Sequence, residues 1–131
     1  MEFIERKKDE KDARLLSPLV WAYVGDSVYE LYVRTRLVNS SNAKPHKLHL
    51  ESIKYVKAKS QADILDRIKD KLSEEELEIV RRGRNTENHH VAKNASVADY
   101  SQSTGFEALI GYLYLTKNDE RLKEILDMCI D

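Results

Sequence analysis

LVWAYVGDSVYELYVR (Leu19–Arg34) and STGFEALIGYLYL (Ser103–Leu115) are apolar stretches too long for ordinary strands, and each carries an isolated carboxylate. Between Arg14 and Glu30 the only ionisable side chain other than tyrosine is Asp26; between Asp99 and Lys117 it is Glu107. A carboxylate withdrawn from water into apolar surroundings must be neutralised, paired with a cation or given a metal. Asp26 and Glu107 are therefore the candidate site residues.

Ser17-Pro18 is a helix start, with Ser as cap and Pro in the first turn, and the pattern then runs helically to about Val38. At about 100° per residue, Ser27, Glu30 and Arg34 share one narrow polar arc beside Asp26. That arc puts Asp26 at the edge of a cleft, with Glu30 paired to Arg34 one turn on. Trp21, Val24, Val28, Leu31 and Tyr32 cover the other directions, so this helix is expected in the core or at a subunit interface. Gly25 precedes Asp26, and Gly105 and Gly111 lie near Glu107; glycine inside a helix costs roughly 1 kcal/mol against Ala, which points to close approach of a backbone or ligand.

Outward from these stretches, Asn39–Asn42 is turn chemistry, and Lys44-Pro45 precedes a basic helix from about His46 with Leu48, Ile53 and Val56 on it. Ala62, Ile64, Leu65, Ile68 and Leu72 follow at helical spacing. Ser73-Glu74-Glu75-Glu76 reads as a capping box opening a helix that stops near Gly83. Residues Arg84 to Ala95 read as an exposed, mobile loop. Helices are then expected from Val97 or Ser101 to Thr116 and from Asn118-Asp119 onward, the last with Leu122, Ile125, Leu126 and Ile130.

At 131 residues the chain is expected to form one domain, residues 1–131, with 1–14 a partly disordered or peripheral segment. Its 41% hydrophobic and 34% charged residues exclude wholesale disorder, and four Gly and two Pro favour an all-α fold with short connections. A single cysteine, Cys129, excludes an internal disulfide and a Cys-x-x-Cys metal or redox motif, so a cytoplasmic setting is expected. No run approaches the roughly 18 uncharged apolar residues of a membrane span, and no signal-peptide pattern opens the chain. The net charge of −1 conceals local basic clusters: five lysines against Glu51 from Lys44 to Lys59, and four Lys/Arg against Glu87 from Arg81 to Lys93. On charge alone these are ordinary solvated faces.

Val24-Gly-Asp-Ser-Val-Tyr-Glu-Leu31 resembles the signature helix of the ribonuclease III endonuclease domain, and Phe106-Glu-Ala-Leu-Ile-Gly-Tyr-Leu-Tyr-Leu115 resembles that family's second acidic motif. The likeness runs from Leu15 to about Leu126. Two acids of the family pattern are absent: Ala22 stands four residues before the signature Asp, and Thr104 three before the second Glu. With no room after the last helix for a double-stranded-RNA-binding domain, and with the Arg81-Arg82-Gly83-Arg84-Asn85 run, the chain is similar to the short subclass called Mini-ribonuclease III.

The resemblance implies an all-α, homodimeric endonuclease domain that cleaves double-stranded RNA with Mg²⁺, or Mn²⁺ in its place, and matures the ends of a 23S ribosomal RNA precursor. Asp26 and Glu107 would be both catalytic and metal-binding, with Thr104 contributing through water. A large-subunit ribosomal protein is a candidate partner in presenting the substrate. Divalent ions can activate water and stabilise a leaving oxygen without a side-chain nucleophile, and Mg²⁺ favours oxygen ligands, which suits two carboxylates. Duplex RNA is read through its shape and phosphates, so the candidate contacts are basic or polar. They are Lys44, Lys47, Lys54, Lys57 and Lys59 on one segment, and Arg81, Arg82, Arg84, Asn85, His89, His90 and Lys93 on the other. Two other classes stay open at this point. One is a relative that binds RNA or ribosomes without cleaving, suggested by Ala22 and Thr104. The other is a helical nucleotide phosphohydrolase, disfavoured by the lack of a His-Asp pair.

Overall fold

The chain is described here from a computed structural model, over residues 2–86 and 96–130. Among these residues the elements are α1 (Glu10–Arg14), α2 (Pro18–Ser40), α3 (Pro45–Val56), α4 (Ala58–Ile68), α5 (Glu74–Asn85), α6 (Val97–Leu115) and α7 (Asp119–Cys129), with a 3-10 turn at Lys69–Lys71 between α4 and α5. No strand occurs among them, so the fold is all-α as composition and periodicity predict.

Helix α6 is the axis of the molecule. From Ser103 to Tyr114 every residue except Glu107 is buried, because α2, α4, α5 and α7 all pack against it. The α2–α6 crossing is the tightest. A Cβ on Gly25 would lie 1.8 Å from the carbonyl oxygen of Glu107, and one on Gly111 would lie 1.8 Å from that of Trp21. Both glycines are therefore required by backbone contact, which accounts for helix-destabilising residues in these positions. Two edge-to-face aromatic pairs bridge the same helices, Trp21 with Tyr112 at 5.3 Å and Tyr29 with Phe106 at 5.0 Å.

The helix ends are specified locally. Ser73 accepts from the Glu76 amide while the Glu76 carboxylate accepts from the Ser73 amide, so the expected capping box is present. Lys57, extended at ψ 153°, ends α3 and begins α4, dividing the basic segment into two helices. At the end of α6, Lys117 takes φ 61° while the amides of Lys117 and Asn118 bond to Tyr114 and Leu113 carbonyls. This is a Schellman ending with lysine where glycine is usual. Helix α5 continues past Gly83 to Asn85, so Arg84 and Asn85 are helical, not part of a loop as expected. Thr86 caps it there, donating its hydroxyl to the Arg82 carbonyl. The rest of the expected loop, residues 87–95, lies outside the described residues.

Residues ahead of Pro18 pack on this frame. Ala13 is fully buried, the Trp21 indole donates to its carbonyl, and Arg6 forms two bonds to Asp119 and one to the Tyr114 carbonyl. Helix α2 is apolar all round for two different reasons. Its inner face, with Trp21, Tyr29 and Val33, fills the core, whereas Val20, Tyr23 and Leu31 project outward, Tyr23 being 79% exposed. With Ile4, Val24 and Val28, Tyr23 and Leu31 line a shallow apolar groove. No helix among the described residues is long and apolar enough to cross a membrane.

Candidate active site

The glycine crossing sets the geometry of the carboxylates. Because Gly25 touches the Glu107 carbonyl, its neighbour Asp26 is carried beside Glu107, although the two are 81 residues apart in sequence. Their surroundings differ. Glu107 is largely buried in α6, whereas Asp26 is exposed on α2, contrary to the expectation that both are withdrawn from water. The desolvation argument therefore applies to Glu107; Asp26 stands out because α2 carries a second apolar face around it.

Glu107 is a strongly perturbed acid. Burial, and then the negative charge and hydrogen bonding of Asp26, push its carboxyl up to about 8, with Glu30 adding a smaller repulsion. The Gln61 amide opposes this, donating from Nε2 to Glu107 Oε2 at 3.2 Å. Glu30 forms the expected ion pair with Arg34, at 3.7 Å. Thr104 lies one turn before Glu107 and is buried; its hydroxyl donates to the Tyr100 carbonyl at 3.0 Å, which leaves only oxygen lone pairs for another partner. Ala22, one turn before Asp26, presents a buried methyl group. Among the described residues no group of three or more His, Cys, Asp or Glu gathers. The protein therefore offers two neighbouring carboxylates, one exposed and one largely buried.

Gln61 was not legible as a site residue from its type alone. Its signal lay in its spacing. Gln61, Ile64, Leu65 and Ile68 form one i, i+3, i+4, i+7 stripe on the inner face of α4, so a lone amide occupies an otherwise apolar row.

The basic candidates fall into two groups. Lys44, Lys47, Lys54, Lys57 and Lys59 are all exposed, with Lys54 paired to Glu51 and Lys59 to Asp63. Lys57 and Lys59 flank the start of α4, one turn or less before Gln61. The end of α5 abuts α6: a Cβ on Gly105, two residues before Glu107, would lie 3.4 Å from the Arg84 Cβ. Arg84 and Asn85 are exposed there. Arg81 is exposed and ion-paired at the surface, whereas Arg82 packs on the fold. Arg81 forms two bonds to Glu78, and Arg82 stacks over the Trp21 ring at 4.7 Å and reaches the Arg14 carbonyl. His89, His90 and Lys93 lie outside the described residues.

Comparison with known proteins adds independent findings. Residues 19–118 match the model of the Ribonuclease III domain family. Proteins named Mini-ribonuclease 3 are similar over most of their length. That of a Thermoanaerobacter species is 54% identical over 88% of this chain and 81% of its own. That of Clostridium tetani is 43% identical over 98% and 86%, and that of Streptococcus pneumoniae 46% over 91% and 94%. A crystal structure of a Fusobacterium nucleatum protein, 31% identical, has the same fold with a TM-score of 0.79 over 89% of this chain and 93% of that one. Two motifs in order, the all-α frame that joins them and these matches place the chain in the ribonuclease III domain family, a family of endoribonucleases.

Proposed function

We propose that this protein is a divalent-metal-dependent endoribonuclease that hydrolyses phosphodiester bonds in double-stranded RNA, with Asp26 and Glu107 as its catalytic carboxylates. The observation that carries the reading is the juxtaposition of these acids at a crossing that tolerates only glycine. Burial, and then the neighbouring Asp26 charge, raise the proton affinity of Glu107, and a cation held between the two carboxylates would relieve that repulsion. Two hard oxygen donors fit Mg²⁺ or Mn²⁺, which retain water and accept phosphate oxygens in the rest of their shell. Such an ion, when bound, supplies a water of lowered pKa and charge stabilisation at phosphate.

The protein's own contribution is placement. Asp26, exposed, faces arriving RNA; Glu107, largely buried, is fixed in orientation by α6 and Gln61. Thr104 keeps its hydroxyl oxygen one turn away, able to accept from an ordered water. Lys57 and Lys59 on one side and Arg84 and Asn85 on the other suit a phosphate backbone running past the acids, since A-form duplexes are held chiefly through phosphates and 2′-hydroxyls.

The exposed apolar face of α2 supports a homodimer in which this face pairs with its own copy. Resemblance to the short subclass makes the stem of a 23S ribosomal RNA precursor the substrate to test first, with a large-subunit ribosomal protein as a candidate presenting partner and the cytoplasm as the setting. Purified protein is expected to cut a duplex RNA only with Mg²⁺ or Mn²⁺, and Asp26→Asn to abolish cutting while RNA affinity persists. Cleavage by Asp26→Asn at the wild-type rate would remove Asp26 from the mechanism.

A further inference from the structure

Gln61 is 2% exposed, and its amide is fully committed on one side. Nε2 donates to the Val56 carbonyl at 2.8 Å and to Glu107 Oε2 at 3.2 Å, using both of its hydrogens. A carbonyl can only accept, so the orientation of the amide is determined; the flipped form would set Oε1 against two oxygens. Oε1 itself is buried without a hydrogen-bond partner. Such an oxygen lowers stability relative to an apolar side chain in the same row. The Val56 carbonyl belongs to the last turn of α3, where no helical partner exists, so the backbone of α3 anchors the amide that grips Glu107.

We propose that Gln61 is a positioning residue of the active site: anchored on the Val56 carbonyl, its amide holds one oxygen of Glu107 and so presets this carboxylate to bind a cation together with Asp26. Three helices then converge on one carboxylate: α6 carries it, α2 brings Asp26 to it, and α4 supplies the donor that orients it. A purely structural role, capping α3, would need the Val56 bond alone. The bond to Glu107 is the added feature, and groups that orient ligands in this way characteristically set affinity for the ion.

The inference rests on the proposed metal site, and the test separates the two. Mn²⁺ binding to the RNA-free protein is followed by electron paramagnetic resonance in wild type, Asp26→Asn, Glu107→Gln and Gln61→Met. The methionine keeps the volume of the side chain and removes both donors. Expected is loss of the site in the two carboxylate variants and binding weakened about tenfold or more in Gln61→Met, with duplex RNA affinity unchanged. Cleavage by Gln61→Met should recover as Mn²⁺ is raised. If Asp26→Asn abolishes binding while Gln61→Met binds as wild type does, the positioning role is wrong and the metal site stands. If no variant changes Mn²⁺ binding, both fail.

Should Gln61→Met not fold, wild type alone decides the matter. The side-chain NH₂ resonances of Gln61 in ¹⁵N-labelled protein should shift on addition of Mg²⁺, and should not shift in Asp26→Asn. Resonances unmoved by Mg²⁺ in wild type would overturn the proposal.

Discussion

Replacing Gly25 by alanine tests whether the carboxylate pair depends on backbone contact. The added Cβ would sit 1.8 Å from the Glu107 carbonyl oxygen and 2.7 Å from the Gly111 amide nitrogen, where ordinary contact begins at 3.4 Å. Relief requires a separation of about 1.6 Å (3.4 − 1.8), and both obstructing atoms are backbone in the middle of α6, so no side chain can turn aside. Alanine returns about 1 kcal/mol of helix propensity. Overpacking costs about 1–3 kcal/mol in cores that can adjust, and here the three nearest atoms are all α6 backbone, which puts the cost at or beyond the upper value. The net loss is then about 2–3 kcal/mol, or roughly 8 °C in Tm for a domain of this size. Activity should fall further than stability predicts. Asp26 follows Gly25 and Glu107 owns the obstructing carbonyl, so the same displacement moves the two acids apart, and a misplacement of about 1 Å can cost roughly 10²-fold in rate. Thermal denaturation and cleavage of a short RNA duplex, at a temperature where the variant is fully folded, measure the two effects. A Gly25→Ala protein with wild-type Tm and wild-type rate would refute the reasoning.

Further outcomes follow from the same geometry. Folding raises the Glu107 carboxyl from an ordinary 4.5 to about 8, so the folded state favours its protonated form. Metal-free protein should be most stable, as far as this group is concerned, below pH 4.5 and lose that contribution as pH rises through about 8; saturating Mg²⁺ should flatten the loss, and the Glu107 titration followed by carbon NMR should move down in Asp26→Asn. Glu76, held by Arg121 through two bonds, has its carboxyl lowered, so Glu76→Gln should destabilise near neutral pH, by about 1–3 kcal/mol in urea denaturation, with less effect in acid, and leave cleavage rates intact. Lys57→Ala should weaken binding to all duplex sequences alike and reduce the slope of log affinity against log salt by about one, whereas Lys11→Ala, far outside both basic groups in sequence, should leave the slope unchanged. Lys117→Gly should stabilise the protein by up to about 1 kcal/mol in thermal denaturation, because φ 61° costs a side-chain-bearing residue what glycine avoids.

Helical periodicity, the Ser17-Pro18 start, the Ser73 capping box and the scarcity of Gly and Pro are local signals. They determine that the chain is all-α and roughly where its helices lie. Asp26 and Glu107 stand out in sequence because each interrupts an apolar stretch, and Gly25 and Gly111 already signal a close approach. That these glycines face one another, and so bring the acids together, is decided only by the crossing of α2 on α6. The same holds for exposure. Periodicity shows that α2 is apolar all round but cannot say which face meets the core, so Asp26 and Tyr23 emerge at the surface while Trp21 and Tyr29 are buried. Charge runs are equally mute about partners. Arg82 reads like Arg84 in the sequence, yet one lies over the Trp21 ring and the other is exposed beside the helix that carries Glu107. Gln61 joins the site because α4 packs beside α6 and the end of α3 pins its amide. Local pattern and residue type are written residue by residue, so they single out Asp26 and Glu107 as candidates. Their mutual placement was decided by tertiary structure alone, because contact across 81 residues is a property of helix packing.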